Sequence, residues 1–354
     1  MTARSSPGAR QIDPAPHDRS TPRSLLLGAT IVALVGMLHA PGLMAGPTLD
    51  GAIFTTVARA MRDGGTLYVD VWDHKPPGIF WLLQAGQAIA PQIDPWLVTW
   101  VTSVIAGIAT ALLALRCCNV SRERLIAGLL VAVYGSIYPL TLGGGQTEAF
   151  AALFIAAAYV ASARGSVGAA LTSGVALGIA CVFSMQAVAP GACLLAVVAY
   201  QHGWRHAARV TLGGGIIGMV TLVALTLNGS VGEALSALVG YNGVYGALNR
   251  QMPERFADGV ILTLGACSPL VGLYAVGLLS SRPWRKQTPV FRAAALTFPV
   301  WLAFVAVQGR LEPHYALVVV PGLSVVGARG LARMSVPARR TRDRIGVGGT
   351  SVWA

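Results

Sequence analysis

The sequence predicts an all-α polytopic membrane protein, a bundle of about ten transmembrane helices with interfacial helices in its first outer loop. Three observations carry that expectation. Hydrophobic residues make up 54% of the 354 positions and charged residues only 11%, which is more apolar than a water-soluble core requires. Apolar runs of membrane-crossing length recur along the chain. The basic residues behind the formal charge of +12 sit in short segments between those runs, a pattern of membrane topology and not of nucleic-acid binding.

Taken in order, residues 1–23 are rich in Pro, Ser and Arg without apolar periodicity, the composition of a disordered tail. The first run, 24–45, is long enough to stay in the bilayer as a signal anchor. Further runs follow at 95–115, 124–140, 148–163, 166–183, 187–201, 210–228, 259–279, 291–308 and 315–334, before a basic tail at 335–354. The run from Gly78 to Ala90 is different. It is bounded by prolines and covers only about 20 Å at 1.5 Å per residue, so it is predicted to be interfacial or re-entrant. With that run excluded, 20 of the 26 Lys and Arg fall on the side of the N-terminus, which the positive-inside rule makes cytoplasmic for both termini. Arg59, Arg62, Lys75, Arg250, Arg255 and Arg310 fall outside, in the loops 46–94, 229–258 and 309–314. Those outer loops and the outer span ends also hold ten of the 14 acids, which places the chemistry-capable groups on the outer face of the cytoplasmic membrane. The five cysteines form no CxxC pair and read as small apolar fillers.

Within the outer segments, Asp50 follows the first span in "GPTLDGAIFTTVARAMRDGG". A carboxylate there is a candidate general base for an attacking hydroxyl, and equally a helix N-cap. Lys75, in "YVDVWDHKPPGIFWLLQ", is the only Lys or Arg between Arg62 and Arg116. Held by two prolines at the bilayer surface, it suits the phosphate of an anionic lipid, or snorkels to the interface. Asp70, Asp73 and His74 are candidates for a divalent cation or belong to a solvated turn. Arg310 and His314 in "GRLEPHYALVVVP" are candidates to complete a phosphate site with Lys75; alternatively Glu312 between them simply neutralises Arg310. Glu148 in "GGGQTEAF" either complements a helix N-terminus or belongs to a site. Tyr241, Asn242 and Tyr245 offer the mixture of aromatic and amide groups that suits sugar contacts.

An Asp just after the first span, then "GGTLYVDVWDHKPPGIFWL", then a His-Tyr pair opening a last span with a proline in it ("HYALVVVPGL"), resembles the GT-C glycosyltransferases. The likeness is to the protein mannosyltransferase and aminoarabinose transferase branch, over about 24–334. The resemblance implies inverting transfer from a polyprenyl-phosphate-linked sugar to a glycan, lipid or protein acceptor on the outer side of the membrane. It implies Asp50 as base, Lys75 on the lipid phosphate, Arg310 and His314 as further phosphate or sugar contacts, and the polyprenyl tail in lipid beside helix 78–90. Relatives often carry paired acids after the first span, whereas Gly51 follows Asp50 here, so Glu148 or Asp73 is the candidate second carboxylate. The large soluble C-terminal domain of many relatives is not expected in the basic segment 335–354. A lipid-linked sugar flippase or small-solute transporter, and an inactive GT-C-like assembly subunit, are the alternative readings.

Overall fold

A computed structural model describes residues 22–335, so the tails predicted at 1–23 and 335–354 lie outside it except at their inner ends. The helices are α1 (Pro22–Ala45), α2 (Leu49–Arg62), α3 (Gly78–Ile89), α4 (Pro95–Ala114), α5 (Ser121–Tyr134), α6 (Tyr138–Thr141), α7 (Thr147–Ser162) and α8 (Val167–Phe183), then α9 (Val188–His202), α10 (Trp204–Leu227), α11 (Val231–Leu235), α12 (Asn242–Asn249), α13 (Pro253–Leu279), α14 (Pro289–Gln308) and α15 (Val320–Met334). Among the described residues there is no strand, only an isolated bridge between Leu67 and Val71.

Every predicted apolar run falls on a helix, and α1, α4, α10, α13 and α14 have the length and apolar content to cross a bilayer. Two runs are divided. The run 124–140 breaks after α5 at Gly135, and the short α6 resumes at Tyr138. The last run opens as a 3-10 turn, Pro313–Val318, before α15 begins at Val320.

In lipid no hydrophobic force drives helices together, so close contact has to come from small residues. On α8, Gly174 and Gly178 lie one turn apart and face α10: a Cβ at Gly174 would strike the Val210 carbonyl, and one at Gly213 the Leu171 carbonyl. Gly277 and Gly330 bring α13 and α15 together in the same way. In a free helix, replacing Gly by a larger residue gains helix propensity. At this contact, overpacking outweighs that gain. Gly174→Leu is expected to cost about 1–3 kcal/mol, read as a lowered melting temperature in detergent. Gly28→Leu, whose Cβ meets nothing within 4 Å, serves as the control.

As its proline boundaries predict, α3 is short, about 18 Å at 1.5 Å per residue. Its first residue, Gly78, abuts the Val182 carbonyl at the end of α8, and Phe80 sets its ring edge-on to Phe54 of α2 at 5.7 Å. Ile79, Phe80 and Leu83 are fully buried. Together α2 and α3 form a platform on one end of the bundle, where α12 and the segment 309–318 also converge. At the opposite end, Arg329 pairs with Glu123 at 3.3 Å and lies over the Phe291 ring, tying α15, α5 and α14 together.

Candidate active site

The loop from 66 to 77 spends most of its polar groups on its own shape. The Thr66 carbonyl accepts the amides of Val69, Asp70 and Val71, and its amide donates to the Asp70 carboxylate at 2.8 Å. Tyr68 stands at φ 72°, a left-handed conformation that costs a bulky residue about 1–3 kcal/mol. It is held there by its amide bond to the Val71 carbonyl and by a buried ring whose hydroxyl donates to the Lys75 carbonyl at 2.8 Å. The Asp73 carboxylate, itself buried, accepts the Lys75 amide at 2.8 Å, and Pro76 and Pro77 stiffen the entry to α3. The strained loop thereby holds the backbone on both sides of Lys75.

Lys75 lies deep in a cleft with a cavity volume of about 70 Å³, lined also by His74, Glu148, Tyr245, Arg310 and Tyr315. Its Nζ sits 5.6 Å from the centre of the Tyr315 ring. Among the described residues no carboxylate forms an ion pair with this ammonium. Burial alone would pull it below the ordinary lysine range, but the negative charge of Glu148, reinforced by the carboxylates of Asp50 and Asp73, outweighs burial and holds it above. Glu148 is buried in the first turn of α7 and accepts the hydroxyls of Ser184 at 2.9 Å and Thr147 at 3.0 Å. Arg310 donates to Glu312 at 2.7 and 2.6 Å and lies 5.3 Å from the centre of the Tyr245 ring.

Asp50 is not the cap of α2. Thr48 takes that place, its hydroxyl accepting the Gly51 amide at 3.2 Å, so Asp50 falls inside the first turn. The Asp50 carboxylate points toward His314, 4.0 Å from Nε2, too long for a hydrogen bond. His314 is buried, and neither of its ring nitrogens has a hydrogen-bond partner. Burial pulls its imidazole below the ordinary histidine range, against the opposing charge of Glu148. Desolvation also raises the Asp73 carboxyl above the ordinary carboxylate range, and it stands 3.8 Å from His74 Nδ1.

The fold thus gathers His74, Lys75, Glu148, Asn242, Tyr245 and Arg310 around one cleft, with Asp50, Asp73, His314 and Tyr241 next to it but not on its walls. Asn242 turns its amide to backbone carbonyls, including that of His74 at 3.1 Å, and so fastens the loop to α12. The Asp70, Asp73 and His74 trio is not brought together around an ion, because Asp70 is committed to Thr66; among the described residues no three His, Cys, Asp or Glu stand close enough to hold a metal. Sequence reasoning missed Ser184, Gln186, Asn249 and Gln308, which supply polar wall to the cleft. Ser184, Gln186 and Gln308 lie at or beside the ends of apolar runs and Asn249 lies inside the loop 229–258, and none of them has a spacing that a single sequence could read.

No protein-family model matches the chain, and no curated protein matches it. Solved structures do resemble it. The crystal structure of ArnT from Cupriavidus metallidurans bound to undecaprenyl phosphate aligns with a TM-score of 0.63 at 15% identity, over 89% of this chain and 61% of that one. ArnT from the same organism in the apo state gives 0.59 at 16%, over 88% and 60%. The archaeal oligosaccharyltransferase AglB from Archaeoglobus fulgidus, in complex with an inhibitory peptide and a dolichol-phosphate, gives 0.53 at 12%, over 86% and 50%. The chain spans between half and about three-fifths of the length of these proteins, and at such identities the likeness is one of fold.

Proposed function

We propose that this chain, a multi-pass membrane protein of the GT-C fold, is a glycosyltransferase that moves a sugar, with inversion, from a polyprenyl-phosphate carrier to an acceptor on the outer side of the membrane. One observation carries the reading. The cationic cleft at Lys75 adjoins an apolar groove of about 570 Å³, and Pro76 and Met185 line both. The groove runs among α8, α9 and α10 past Leu177, Val182 and Leu195. A phosphate with a long hydrocarbon tail fits that pairing of a small polar cleft and a large apolar groove. In this reading the tail lies along α8, α9 and α10 and passes the entry to α3 at Pro76 and Pro77.

In this reading the acceptor hydroxyl attacks the anomeric carbon while the bond from that carbon to the phosphate oxygen breaks. A second negative charge develops on the departing lipid phosphate. Lys75 and Arg310 stabilise that charge, and Asp50 takes the acceptor's proton. Glu148 holds Lys75 protonated and supplies the second acid that Gly51 does not.

Protein in nanodiscs is expected to bind undecaprenyl phosphate and to discriminate against undecaprenol, which has the tail without the phosphate. Equal binding of the two, or of neither, removes the reading. The same assay tests Glu312, which occupies Arg310 and so competes with the phosphate. Glu312→Gln is expected to tighten undecaprenyl phosphate binding by about 1.5-fold to fivefold, in line with the modest worth of a partly exposed ion pair. Weaker binding would mean that Glu312 orients Arg310 for the phosphate.

A further inference from the structure

Beside the cleft lies a group of aromatic rings that reaches outward from its wall, beyond the cations proposed to hold the phosphate. Trp72 and Tyr241 meet edge to face at 4.9 Å, Tyr241 stacks on Tyr245 at 5.7 Å with the planes 14° apart, and His74 lies 5.3 Å from Tyr241 and 5.9 Å from Tyr245. The rings come from two segments far apart in sequence. The second segment carries a π-helical turn, Ser236–Tyr241, a distortion often found at functional sites. The Asn242 amide bonds both the carbonyls of that turn and the His74 carbonyl, so one side chain fixes both halves of the cluster. Trp72 is 51% exposed and Tyr241 40%, while His74 and Tyr245 continue into the wall of the cleft.

We infer that this shelf binds the acceptor, and that the acceptor is a carbohydrate. The inference rests on the transferase reading for the word acceptor, but the shelf's chemistry stands by itself. A sugar ring has a face of C–H bonds carrying partial positive charge, which matches the negative face of an indole or phenol ring. A lipid acceptor would call for a second aliphatic groove, and the shelf is aromatic and open. A peptide bound as an added strand would need a free sheet edge, and the described residues have none. The cleft wall next to the shelf also matches a polyol. Asn249 Nδ2 and Gln186 Oε1 are buried without partners, one orphan donor and one orphan acceptor, and a sugar hydroxyl both donates and accepts.

The test is a printed array of microbial glycans probed with the full chain in fluorescent nanodiscs, with undecaprenyl phosphate binding measured on the same preparation. The intact protein is expected to bind a restricted set of glycans. Trp72→Ala should lower that signal about tenfold at an unchanged melting temperature, and Trp72→Phe should restore most of it. If the intact protein binds no glycan, or Trp72→Ala binds the same set equally well, the inference is overturned and the rings are an interfacial aromatic belt. Failure to bind undecaprenyl phosphate removes the transferase reading instead, and leaves the glycan result to stand or fall separately.

Discussion

Asp50→Asn is expected to lower single-turnover sugar transfer by about two to four orders of magnitude while undecaprenyl phosphate still binds. The substitution is nearly isosteric, and Asp50 caps nothing, since Thr48 does that. What it removes is the proton acceptor and the negative charge 4.0 Å from His314. Because the proposed base acts on the acceptor hydroxyl and Lys75 acts on the lipid phosphate, the loss should appear in kcat and leave the dependence on donor concentration largely intact. Transfer at an undiminished rate would remove the assignment. Loss confined to donor affinity would move Asp50 to the donor side of the cleft.

Removing the ammonium at Lys75 is the second large effect. A charge-assisted contact to phosphate is worth about 1.5–3 kcal/mol, so Lys75→Met should weaken undecaprenyl phosphate binding roughly tenfold to more than a hundredfold. The single variant also leaves the buried Glu148 without its counter-charge, which by itself destabilises the site. Adding Glu148→Gln in a double variant removes that second charge. If binding is lost in Lys75→Met but regained in the double variant, Lys75 serves the carboxylate more than the phosphate. The pH dependence gives an independent reading. An ordinary lysine loses its proton near pH 10.4. The neighbouring carboxylates hold Lys75 above that range, so its contribution is fully present below it and is lost only as pH rises through the elevated value. Carrier binding should therefore not fall through deprotonation of Lys75 between pH 7 and 10.

Particular residues show how far the sequence could be read. The short run after Pro77 is legible as less than a span from its length alone, and α3 is that helix. Lys75 stands out because it is the lone cation in a long stretch, and the cleft forms around it. Asp50 is legible as a residue of interest but not as a choice between cap and site. That choice depends on whether Thr48 or Asp50 begins the helix, and both are good caps. Asp70 and Asp73 look alike in the sequence, yet Asp70 closes a turn while Asp73 is buried beside His74 and holds the Lys75 amide. Gln186, Asn249 and Gln308 could not be read at all.

By itself, the sequence determined the membrane class, the positions of the apolar helices and the side chains available for chemistry. Hydropathy, proline geometry and charge act over a few residues and need no partner to be read. Only the tertiary structure decided that Lys75, Glu148 and Arg310 share a cleft, that Asp50 faces His314, and that the cleft opens onto an apolar groove. Those relations join segments up to about 260 residues apart, across helix contacts set by glycines whose spacing does not name the helix they meet. Which carboxylate holds a loop and which holds a charge follows from that packing, because burial and the nearest opposite charge set the character of each group.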